Sequence, residues 1–96
     1  MPANSCLVDV NWRVATTITT ATNWELGTSG TPALSCAQNA NLTTGNTGVC
    51  SANIKTNAAA NCFASATQLI TTTTGTPGAG VIHFDLTYEL SAPPTN

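Results

Sequence analysis

Charge is what this chain has least of. Asp9, Arg13, Glu25, Lys55, Asp85 and Glu89 supply all of it, 6% of 96 residues, against roughly 25% in an ordinary soluble domain. Arg13 and Lys55 are the whole basic complement. Two cations cannot neutralise a phosphate backbone, which argues against a nucleic-acid partner. They also make no polybasic patch for anionic lipid. A formal net charge of −2 opposes contact between copies only weakly, so self-association meets little repulsion.

Other absences narrow the chemistry further. No apolar run approaches the ~20 residues of a membrane-spanning helix. No period of 20–50 residues marks a solenoid. His83 is the single histidine, so no Ser/His/Asp or Cys/His set can be assembled around a second one. The four acids are spread over 80 positions and form no calcium loop. Cys6, Cys36, Cys50 and Cys62 lack the close C-x-x-C pairs of a zinc site. The expectation is a non-enzyme without metal or cofactor.

What is present is threonine, asparagine and alanine: 19, 10 and 14 residues. A Thr/Asn surface hydrates through neutral hydroxyls and amides, and β-branched threonine favours strands. The runs 16–20 and 71–74 would suit ice binding only on a regular repeat, and their spacing is irregular. Four cysteines in a small, weakly charged chain indicate two disulfides and an oxidising compartment. Three pairings are open. The short polar loop between Cys50 and Cys62 favours Cys50–Cys62 with Cys6–Cys36. Residues 1–4 lack a basic start and an apolar stretch, so an exported form would have lost its leader.

Alternation of apolar and polar residues supplies the fold. Over 80–90, Ile82, Phe84, Leu86, Tyr88 and Leu90 alternate with His83, Asp85, Thr87 and Glu89, the signature of a strand with one buried face. Over 6–20, Val8, Val10, Trp12, Val14, Thr16 and Ile18 fall on one face and Leu7, Asp9, Asn11 and Arg13 on the other. Strands usually run about 5–6 residues, so a segment this long should bend or bulge. Shorter strands are expected at 22–26, 33–37 and 49–55, with a loop at 27–32 and an exposed loop or hairpin at 38–48. Asn57 can cap a short helical turn at 57–62, running into a strand at 63–73. The Gly/Pro-rich 75–80 predicts a hairpin joining 66–73 to 81–90. The chain is expected to form a single all-β domain over 1–96, a small antiparallel β-sandwich or barrel, with 1–5 as a lead and 91–96 as a Pro-containing tail.

Four constellations are candidates for function. His83 and Asp85 share a strand face and could act as an acid–base or metal pair, but no second His or clustered carboxylate accompanies them, and the exposed polar face of an amphipathic strand is the simpler explanation. Arg13 could meet Asp85 or Glu89 if the two long strands pair. Trp24, beside a polar loop, could stack on a sugar ring, whereas Trp12 and Tyr88 sit on apolar faces. Finally, the strand carrying Val8, Val10, Trp12, Val14 and Ile18 could be donated to a neighbouring subunit. These features predict a pilin-like or filament-forming extracellular subunit that binds copies of itself. The alternative is a secreted module binding carbohydrate or cell wall.

Overall fold

The computed structural model describes residues 1–90, and the expected Pro-containing tail, 91–96, lies outside them. Seven strands form two antiparallel sheets: β1 Ser5–Thr16, β2 Ala21–Gly27, β3 Cys36–Asn39, β4 Thr47–Val49, β5 Cys62–Phe63, β6 Ile70–Gly75 and β7 Val81–Leu90. A short helix α1, Ser51–Thr56, and a single 3-10 turn, Ala59–Asn61, lie between β4 and β5. The all-β class and its short helical turn are therefore as the sequence indicates.

The first sheet is built around β1. On one side β1 pairs with β4 through 11–13 and with β5 through 5–6; on the other it pairs with β7 along almost its whole length. The second sheet has the order β3-β2-β6. Between the sheets lie Leu7, Val10, Trp12, Val14, Ile18, Trp24, Leu26, Leu34, Ile54 and Phe63, all buried.

Two bulges reconcile β1 with its sequence. The register to β7 slips between Leu7 and Asp9 and again between Val14 and Thr16. Strict alternation would put Leu7 and Asp9 on one face and Val8 inside. The extra residue at Val8 resets the phase: Leu7 (4% exposed) and Val10 (0%) both face the core, and Val8 (44%) faces solvent. Asp9 turns outward, its carboxylate accepting from the Val10 amide at 2.8 Å. The expected inward set of 6–20 is thus corrected at Val8 and Leu7, and at Thr16, which is exposed.

Other elements also differ from the sequence reading: Asn57 ends α1 rather than starting a helix, and the strand expected at 33–37 runs over Cys36–Asn39. Residues 51–56 are helical rather than extended. Cys50 and Ile54 share a face at a spacing of four in both structures, so their pattern alone does not separate them. The strand expected at 63–73 is broken, with β5 ending at Phe63 and β6 beginning at Ile70. The expected 66–73/81–90 hairpin does not form: β6 pairs with β2 and β7 with β1, so the 76–80 connection crosses between the sheets. Gly78 donates to the Thr19 carbonyl at 3.1 Å and Thr19 to that of Ala79 at 3.0 Å, holding the crossover against the β1–β2 turn.

A polar tie replaces apolar packing where the helix meets the second sheet. Asn53, Asn57 and Asn61 recur every four residues along one side of the helical segment. The Asn53 amide donates to the carbonyls of Ala33 and Leu34, each at 3.1 Å. Asn61, fully buried, donates to Leu34 and Asn57 carbonyls and accepts from the Ser35 hydroxyl at 2.8 Å. Asn61→Ala leaves the buried Ser35 hydroxyl without its partner, at a cost of about 1–3 kcal/mol, while the Leu34 and Asn57 carbonyls keep the Asn53 amide and the backbone N–H of residue 61. Urea denaturation should show the loss as a lower midpoint with an unchanged slope; an unaltered midpoint would contradict the tie.

Candidate functional site

The two disulfides are Cys6–Cys62 and Cys36–Cys50, and no described cysteine is free. This corrects the expected pairing of Cys6 with Cys36 and Cys50 with Cys62. Register decides the first bond: Cys6 and Cys62 stand directly opposite on β1 and β5. The second joins β3 of one sheet to the β4–α1 junction of the other, clamping the sandwich across its core. Loop length along the chain carries no information on either proximity.

Trp24 cannot serve as a stacking platform, which corrects that expectation. It is 0% exposed, and its indole packs edge-on against Trp12 at 5.1 Å and Phe84 at 5.6 Å. Its Nε1–H donates to the Asn41 carbonyl at 3.1 Å. That one bond explains how a buried tryptophan can sit next to a polar loop. Trp12 in turn lies over Gly48, where a Cβ would approach ring carbons to 2.5 Å; any side chain there would displace the ring.

On the outer face of the first sheet, Asn11, Arg13, His83 and Asp85 line an open cleft of about 560 Å³ with Thr47 and Val49. Register sets Arg13 opposite His83 and Asn11 opposite Asp85. Arg13 is thus diagonal to Asp85 and far along the strand from Glu89. The cleft brings His83 and Asp85 together as expected, and both are exposed. Among the described residues no three His, Cys, Asp or Glu side chains gather to hold a metal. The surroundings are amide, hydroxyl and backbone, which offer hydrogen bonds but no nucleophile held beside a base.

The inner face of β7 is the less expected feature. Ile82 and Phe84 are half-buried, but Leu86, Tyr88 and Leu90 are 39%, 44% and 67% exposed although they lie on the core side. Their cross-strand partners Val10, Leu7 and Ser5 are buried, so the cover over β1 stops short of β7. β6 and β7 are end strands of their sheets, and both line one groove. This apolar groove of about 190 Å³ is lined by Ile18, Thr71, Thr73, Pro77, Ile82 and Phe84. Alternation in the sequence identifies the apolar face of β7, but it does not tell which residues the second sheet reaches.

The strand nominated for donation, β1, is the central strand of its own sheet and is fixed at Cys6 by a disulfide. Of its nominated residues, Val10, Trp12, Val14 and Ile18 are core and Val8 is on the bulge. The longest edge strand is β7, at ten residues. No helix among the described residues is long and apolar enough to cross a membrane. No protein-family model, curated protein or solved structure matches this chain.

Proposed function

We propose that this chain is a non-catalytic extracellular structural subunit that assembles with copies of itself. The observation that carries the reading is the uncovered apolar row Leu86, Tyr88 and Leu90 on an edge strand ten residues long. Edge strands present unpaired N–H and C=O groups, and natural sheets protect them by shortness, proline, bulges, charged side chains or inward-pointing charge. β7 is long, has no proline and no inward-pointing charge; its acids Asp85 and Glu89 lie on the outer face, and its core-side residues are apolar. Contiguous exposed apolar surface of this kind marks an interaction site. Two disulfides and a nearly uncharged surface suit an oxidising exterior. The assembling strand in this proposal is β7, not β1.

Sedimentation velocity across micromolar to millimolar concentration tests the reading. Mass should rise with concentration, and Tyr88→Ser with Leu90→Ser should shift association to higher concentration. Both side chains are exposed, so this variant should unfold within about 1 kcal/mol of the parent. A strict monomer throughout rejects self-assembly. Carbohydrate binding loses its support with both tryptophans in the core.

A further inference from the structure

We infer that two copies join through antiparallel β7–β7 pairing about a two-fold axis at Leu86. The inference rests on the self-assembly reading and adds to it the register, the symmetry and the closure of the assembly. In an isologous contact residue i meets residue j and j meets i, so the two positions in every pair have a constant sum. Placing Leu86 opposite Leu86 of the partner subunit pairs nine residues, 82–90, a ladder about 30 Å long.

Side chains of β7 then meet complementary neighbours. On the outer face His83 lies opposite Glu89 of the partner subunit, and Asp85 opposite the partner's Thr87. On the inner face Phe84 lies opposite the partner's Tyr88, and Ile82 opposite the partner's Leu90. Aromatic pairs, apolar pairs and opposite-polarity pairs are those that stabilise directly facing positions, by about 0.2–1 kcal/mol each.

Neighbouring registers are worse for reasons written in the same sequence. Moving the axis to Asp85 sets the two Asp85 carboxylates against each other. Moving it to Thr87 sets Asp85 against Glu89 twice. Like charges directly opposite are destabilising. With the axis at Phe84, Asp85 meets His83, but only 81–87 of β7 pairs and Tyr88 and Leu90 stay uncovered.

The same inner-face pairs also meet the groove. Ile82 and Phe84 form one wall of the apolar groove between β6 and β7. In the Leu86 register these two residues face Leu90 and Tyr88 of the partner subunit, the most exposed apolar residues of the row. Each copy therefore brings its uncovered residues to the other's unfilled groove. The first sheet becomes continuous through both copies, in the order β4-β1-β7-β7-β1-β4. The two-fold axis consumes both β7 edges, so this contact closes as a dimer, and any longer assembly must use another surface.

Charge exchange reads the register directly. His83→Glu sets Glu against Glu89 of the partner subunit and should weaken dimerisation at least tenfold by sedimentation equilibrium. Within one copy the new carboxylate lies opposite Arg13, so the fold tolerates it. Adding Glu89→Lys should restore affinity to within a few-fold of the parent, and adding Asp85→Lys should not. Leu86→Lys places two ammonium groups at the axis and should abolish the dimer, with circular dichroism unchanged. A parent that associates while His83→Glu has no effect, or is rescued by Asp85→Lys rather than Glu89→Lys, overturns this register and leaves self-assembly standing. A parent that stays monomeric overturns both.

Discussion

Reducing both disulfides should unfold the domain near room temperature. Cys6–Cys62 and Cys36–Cys50 span 56 and 14 positions. On the chain-entropy account, closing such loops removes about 4 and about 3 kcal/mol of freedom from the unfolded state. Domains of this size are stable by only about 5–15 kcal/mol in all, and alanine is a large share of the apolar content here. The bonds should break in order. Cys62 is exposed and Cys6 half-buried, whereas Cys36 and Cys50 are 1% and 7% exposed. A mild reductant should therefore open Cys6–Cys62 first, and Cys36–Cys50 only as the sheets separate. Alkylation at timed intervals followed by peptide mapping gives the order, and near-ultraviolet dichroism reports the tryptophan packing. Cys6→Ser and Cys62→Ser should match each other, as should Cys36→Ser and Cys50→Ser. A peptide linking Cys6 to Cys36, or a reduced protein melting at its oxidised temperature, would refute this account.

Strand periodicity was informative where a segment has one neighbouring environment along its length. Trp24 and Leu26 share the inner face of β2, as their spacing indicates, and Val10, Trp12 and Val14 do so on β1. Periodicity misleads where the chain adds a residue. At Val8 the three-residue phase from Leu7 to Val10 is visible only if a bulge is allowed, and two apolar residues in a row offer no choice between them. It also misleads where helix and strand phases coincide, as at Cys50 and Ile54. The Asn53, Asn57, Asn61 spacing was the available helical signal in that region, carried by polar residues rather than by an apolar stripe.

Pairing between distant segments was less legible. The Gly/Pro-rich 75–80 marks a reversal of direction, but not whether the strands on either side join one sheet or two. That outcome depends on β2 and β1 each offering an edge, which no local property of 75–80 encodes. The same limit applies to the candidate site. The apolar row of β7 is plain in the sequence. Its exposure is a property of the second sheet, whose three strands do not extend over Leu86, Tyr88 and Leu90.

Trp24→Ala should be the most damaging single substitution in the core. Trp24 is the largest fully buried side chain, and it comes from the second sheet while its ring partners Trp12 and Phe84 come from the first. Truncation therefore opens a cavity at the contact between the sheets. Such changes cost about 3–5 kcal/mol, and the two edge-on ring pairs add about 0.5–1.5 kcal/mol apiece beyond area. In a domain of this size each kcal/mol lowers the melting temperature by roughly 4–8 °C, so a fall of at least about 12 °C is expected. Trp24→Phe should cost less, because it keeps a ring between Trp12 and Phe84. Its loss of the bond to the Asn41 carbonyl is softened by water, since Asn41 is exposed. A double-mutant cycle with Phe84→Ala should return a coupling of about 0.5–1.5 kcal/mol. Scanning calorimetry with the disulfides intact measures all of these. A Trp24→Ala protein melting within about 4 °C of its parent would mean that the ring is not the bridge between the sheets.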